Sequence, residues 1–214
     1  MIADEPVYAA RLDIDYPERD LNRLTTAFRI VLIIPIVIIL ALIEGATGGA
    51  NWNDGARDGA GMAGGVAGGL SVATALMIVF RQTYPRWWFD FQRELARFST
   101  RVGAYLALTT DVYPSTIDEQ SVHLEIDYPD AKQDLNQWLP LVKWLLAIPH
   151  YIVLIALAIG AFFAVIFAWF AILFTGRYPR GLFDYVVGVA RWGLRVQAYA
   201  FLLVTDRYPP FSLK

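Results

Sequence analysis

Asp13 with Asp15, and Glu125 with Asp127, set carboxylates two residues apart, a spacing that puts both side chains of a pair on one face of an extended strand. Such pairs hold a cation or divide acid and base roles between them. Either use needs a third ligand or a pocket, and the sequence supplies neither nearby; a solvated strand face is the plainer reading. The two histidines, His123 and His150, stand in no metal-ligand spacing. His150 follows Pro149 inside an apolar run, where an ionisable group is a functional candidate; a neutral imidazole bonded to a nearby carbonyl is the simpler expectation. With no cysteine there is no disulfide, zinc-thiolate, iron-sulfur or thiol chemistry. No catalytic residue, metal site or cofactor is expected.

Arginines form the clearest pattern. Arg93, Arg97 and Arg101 recur every four residues and share one face of a helix that also carries Trp87 and Trp88; Arg191 and Arg195 repeat the pattern beside Trp192. Arginines backed by aromatic rings suit a helix lying in a membrane interface, where they touch anionic lipid or a partner subunit. Facing water, or paired with Asp90, Glu94 and Asp184, they would hold such a helix at the surface equally well.

The elements that must position these groups are apolar. Hydrophobic residues make up 57% of the 214 and charged ones only 18%, which points to a membrane protein. The net charge of -2 provides no basic field for nucleic acid. Residues 24–43 and 61–80 read as membrane spans, and 144–175 is a run of 32 residues without a formal charge. That run fits two spans as a tight hairpin turning near Gly160, or a pair of short or re-entrant segments. Pro35 and Pro149 are expected to kink their spans and open a cavity beside His150 between the two halves of the chain. In the second span Gly61, Gly65 and Gly69, with Gly64 and Gly68 alongside, form small-residue stripes for close helix packing, within the chain or between chains. Basic residues concentrate outside the loop between the first two spans, so both termini are predicted to be cytoplasmic.

The chain also writes the same text twice. "LDIDYP" at 12–17 recurs as "LEIDYP" at 124–129, and "DLN" at 20–22 recurs at 134–136. "YPR" at 84–86, "FD" at 89–90, "AR" at 96–97 and "TD" at 110–111 return at 178–180, 183–184, 190–191 and 205–206. Two tandem units, 1–115 and 116–214, are predicted, each with a strand of alternating polarity, a spanning hairpin, an arginine helix and a closing "TD-x-YP". This combination, above all the ending "VTDRYPPFSL", resembles a bacterial membrane-protein family known as domain of unknown function 4389. The resemblance covers both halves and implies a small multi-pass inner-membrane protein with duplicated units and no assigned reaction.

The expected fold is therefore mainly α and integral to the membrane. It has four transmembrane helices in two parallel-repeat hairpins, two interfacial amphipathic helices, and short cytoplasmic strands in a small sheet. The expected role is that of a non-enzymatic structural or accessory subunit of an inner-membrane complex, with lipids, other subunits or further copies as partners and no nucleic acid. The alternative is a protein that binds or transports a lipid or small hydrophobic molecule in a cavity between the repeats.

Overall fold

A computed structural model of the chain describes residues 8–18, 20–44, 66–115 and 120–214. Alternation decides the strands. In β1 (Ala10–Ile14) and β2 (Val122–Ile126) every second side chain is buried and the others are exposed. The two pair antiparallel with Leu12 opposite Leu124 and Asp13 opposite His123, so Leu12, Ile14, Val122 and Leu124 enter the core. Each such side chain contributes about 1.5–3 kcal/mol when fully buried.

Six helices accompany the sheet among the described residues: α1 (Arg23–Glu44), α2 (Val66–Arg81), α3 (Arg86–Leu106), α4 (Pro140–Leu146), α5 (Ile148–Thr175) and α6 (Arg180–Ala200). Pro85 and Pro179, both extended, precede the first turns of α3 and α6. A proline there loses no helical hydrogen bond and sets the entry angle. Beyond the far ends, Leu108 (φ 64°) and Leu203 (φ 58°) sit in the left-handed region, a strain of about 1–2 kcal/mol each that turns the chain back sharply.

The packing is crosswise. β1 lies on α6, the helix most distant from it in sequence, and β2 on α3, the helix before it. On the other side of α3 and α6, the helices α1, α2, α4 and α5 touch one another in a second, apolar layer.

The four-span prediction is overturned. Among the described residues only α5 is long and apolar enough to cross a membrane. The run 144–175 does not fold back at Gly160: α5 continues through it as one helix of 28 residues, about 42 Å long. A lone glycine costs a helix only about 1 kcal/mol, and here it makes room for a neighbour, since a Cβ on Gly160 would stand 2.5 Å from the Tyr185 hydroxyl. Among the described residues α2 has 16, fewer than the roughly 20 a span needs. The first turns of α1 bury Thr26 and Arg29 in the folded body, which removes them from any lipid-facing length.

The two arginine helices are held to the rest of the body by four of their arginines. Their cationic faces turn onto the strands and the chain's closing segments, where main-chain carbonyls receive them.

Candidate functional site

Two buried cations organise the ends of α3 and α6. The turn at Leu108 delivers the Thr110 carbonyl and the Asp111 carboxylate to Arg29, which is 2% exposed; the guanidinium donates to both and to the Tyr105 carbonyl. The turn at Leu203 does the same for Lys143, which is wholly buried, with Nζ 2.7 Å from both the Thr205 carbonyl and Asp206 Oδ1. Each carboxylate also accepts a main-chain N-H, from Asn22 onto Asp111 and from Asn136 onto Asp206. Burial pushes the Lys143 ammonium below its ordinary pKa, and Asp206 pulls it part of the way back.

Tyrosines and arginines tie the layers together in the same paired fashion. Tyr84 donates to the Leu202 carbonyl and Tyr178 to the Ala107 carbonyl; burial raises both hydroxyls well above the ordinary phenol range. Tyr128 donates to the Tyr84 carbonyl and Tyr16 to that of Tyr178. Arg97 reaches the Leu124 carbonyl on β2, and Arg191 reaches Leu12 on β1. Arg101 donates to Ser115 and Arg195 to Ser212.

Other carboxylates also lie in close pairs. Asp13 pairs with Arg191, Asp15 with His123, and Glu125 and Asp127 both with Arg11. Arg93 bridges Asp90 and Glu94, and Arg97 also meets Glu94 at 2.8 Å. Among the described residues no three His, Cys, Asp or Glu side chains converge in a group that could hold a metal ion. His150 is fully buried and accepts a hydrogen bond from Trp192 Nε1 at Nδ1, not from or to a carbonyl, while Phe211 stacks on its ring at 4.0 Å.

Apolar space collects around Gln197. One cavity of about 310 Å³ lies between β1, α3 and α6, lined by Leu12, Gly103, Ala107, Ala190, Gly193 and Gln197 among others. A second, of about 390 Å³, opens between α2, α5 and α6 past Gly68, Tyr151, Leu154 and the same Gly193 and Gln197. A third, of about 50 Å³, again borders Gln197 and adjoins Gln92 and Ser71. Small residues make this room: a Cβ on Gly103 or Gly193 would meet nothing within 4 Å.

Other predicted positions fall apart from one another. Gly61, Gly64 and Gly65 lie outside the described residues. Gly69 is exposed with open space at its Cα, and Gly68 borders the second cavity. Trp87 is exposed, while Trp88 turns inward to donate to Thr74. Pro35 lies within α1 and Pro149 in the first turn of α5; neither lines these cavities. The sequence reading missed the buried cations, although Lys143 stands at the same 114-residue offset from Arg29 as one "DLN" from the other.

Residues 140–212, from α4 through the closing turn after α6, match the family model described as Domain of unknown function (DUF4389). No curated protein and no solved structure matches the chain.

Proposed function

We propose that this chain is a non-enzymatic component of a membrane surface, in which α1, α2, α4 and α5 form the face turned to lipid and the sheet with α3 and α6 forms a rigid scaffold for partner subunits or a second copy. The observation that carries this reading is the lie of α5. Its outward side is apolar and open, with Ile152, Phe162, Phe167 and Phe174 between 64% and 78% exposed. Its two ends are fastened to one body: His150 to Trp192 near the start, and Gly176 just past its end to the Leu21 main chain. β1 follows the same course, with Tyr8 bonded to the Arg195 carbonyl and Tyr16 to that of Tyr178. A perpendicular crossing would draw the charged pairs around β1 through hydrocarbon, at several kcal/mol or more per charge. Lying along the surface keeps them in water.

The paired contacts of Arg29 and Lys143, Tyr84 and Tyr178, and Arg101 and Arg195 support two duplicated half-units, 1–115 and 116–214, and support extending the family likeness to the first half. They also speak for a scaffold, because the charged groups there are engaged with each other and with the main chain.

The lack of native cysteine allows a clean test. Lys132→Cys and Arg177→Cys, before and after the α4–α5 segment, are labelled with a membrane-impermeant maleimide in sealed vesicles. Labelling of both from the same side is the expected result; protection of one and not the other sinks the surface orientation.

The cavities meeting at Gln197 favour a second reading, retention of a lipid or small hydrophobic molecule. Gly193→Leu would fill the space beside Gln197, and native mass spectrometry would then show a co-purified ligand lost. An unchanged ligand load would dismiss this use of the cavity.

A further inference from the structure

The repeated "IDYP" and "YPR" build the same corner twice. Tyr128 donates its hydroxyl to the Tyr84 carbonyl, and Tyr16 donates to that of Tyr178. Each ring is also met edge-on by a phenylalanine, Phe89 of α3 at 5.1 Å from Tyr128 and Phe183 of α6 at 5.0 Å from Tyr16. On these two fixed rings lie the first arginines of α3 and α6. The Arg86 guanidinium stands 5.1 Å from the Tyr128 centroid, and that of Arg180 4.7 Å from the Tyr16 centroid. Such a contact orients the charge without using its N-H donors.

Both arginines are exposed, and among the described residues neither guanidinium makes a hydrogen bond or an ion pair. Asp90 and Asp184 stand one turn further along the same helices without closing a pair to them; Asp90 is instead 3.3 Å from Arg93. At the first corner Arg81, in the last turn of α2, adds a second exposed cation with no ion pair among the described residues. At the second, Arg177 is taken by Asp20. The charges border apolar surface. Phe80 and Phe174, six residues before Arg86 and Arg180, stand in the last turns of α2 and α5 and are each 78% exposed, and Trp87 beside Arg86 is 69% exposed. A bare ring next to a free guanidinium suits the boundary of a bilayer, where the ring enters the acyl region and the cation meets headgroups. An anion without an acyl chain would meet the charge but leave the ring in water.

We propose that the two corners are headgroup sites for acidic phospholipid: Arg86 with Arg81 at one and Arg180 at the other hold the phosphate, while Phe80 and Phe174 lie among the acyl chains. These sites rest on the reading of α2 and α5 as part of the layer turned to lipid, and they add a preference for charge that an apolar face alone lacks.

The test places the full chain in phosphatidylcholine vesicles and follows spin-labelled phosphatidylglycerol and spin-labelled phosphatidylcholine by electron paramagnetic resonance, which separates lipid held at the protein from free lipid. Phosphatidylcholine carries the same phosphate beside a neutralising choline. Phosphatidylglycerol is expected to be held at least about threefold more strongly, since one arginine near an anionic surface is worth about fivefold, and added salt should narrow the difference. Changing Arg81, Arg86 and Arg180 together to Gln should bring the ratio close to one. The same three changed to Lys keep their charge, and Arg93→Gln removes a cation elsewhere on α3; both should leave the ratio above about twofold. A ratio untouched by the glutamine variant, or an equal fall in the lysine variant or in Arg93→Gln, would overturn the sites. The lipid-turned layer is judged separately. Equal retention of the two lipids overturns the corners and leaves that layer standing, retention of phosphatidylglycerol alone supports the corners and removes the layer, and retention of neither removes both.

Discussion

Asp206→Asn removes the counter-charge of a cation that water does not reach. Lys143 is wholly buried, with Nζ 2.7 Å from Asp206 Oδ1 and 2.7 Å from the Thr205 carbonyl. Stripping one partner from a buried ion pair costs about 3–5 kcal/mol, because the remaining charge stays desolvated. The lysine has one escape, which is to shed its proton, and this sets a ceiling. Holding it neutral at pH 7 against an unfolded pKa near 10.4 costs about 4.6 kcal/mol, at about 1.4 kcal/mol per unit. The sign of the pH dependence follows. The folded pKa lies below the unfolded one, so between them the unfolded chain binds more protons and stability rises with pH. The deficit of the variant should therefore shrink by up to about 2.7 kcal/mol between pH 7 and pH 9. Lys143→Met alone leaves Asp206 partly solvated and still bonded to the Asn136 N-H, for an expected loss of about 1–2 kcal/mol. In the Asp206→Asn background the same change should restore stability, since no buried ammonium remains. The assay is chemical unfolding of the full chain in neutral detergent, followed by tryptophan fluorescence at pH 7 and pH 9. A loss below about 1 kcal/mol at pH 7, or a deficit that does not move with pH, would refute the reasoning.

Three further outcomes are expected. Tyr84 and Tyr178, 2% and 1% exposed, are pushed by burial above the ordinary phenol range. Their contribution is complete below pH 10 and fades above it, at up to about 1.4 kcal/mol per unit for each; tyrosinate absorbance should rise only together with loss of the helical circular dichroism. Gly188→Ala drives a Cβ to 2.8 Å from the Leu213 carbonyl; an overpacking cost of about 1–3 kcal/mol should appear as faster hydrogen exchange confined to the residues after Asp206. His150→Phe strands the buried Trp192 N-H; it should lower stability by about 1–3 kcal/mol in thermal unfolding, and an unchanged melting temperature would remove the hydrogen bond's importance.

Alternation made the strands legible, because "RLDIDY" and "HLEIDY" can bury one face only as strands and each edge then needs the other. The spacing of Arg93, Arg97 and Arg101 places them along one face of a helix. What that face meets was not legible. Spacing fixes direction around a helix axis, and the partners, Leu124 and Ser115 for the last two, arrive from a part of the chain that only the fold brings near. Hydropathy failed for a related reason. It measures whether a segment tolerates lipid, and an uncharged run such as 144–175 satisfies it whether it turns at Gly160 or passes straight through. Tyr185, resting against Gly160, decides between them, and nothing local announces it. The buried cations were within reach. Arg29 is a lone charge near the start of the apolar run 24–43, and the recurrence of a cation at Lys143 is the sign that such a charge is structural.

The crosswise seating of the strands also constrains the order in which the molecule can come into being. β1 has no ladder partner until residues 122–126 have left the ribosome, and α6, on which it rests, follows more than fifty residues later. The bonds from Tyr8 to the Arg195 and Arg207 carbonyls close loops of 187 and 199 residues. Contacts this remote slow folding, since the chain must surrender its freedom before they reward it. During translation the apolar run of α1 is exposed well before its tertiary partner α5 is made. A nascent chain in that position aggregates unless something else shields it.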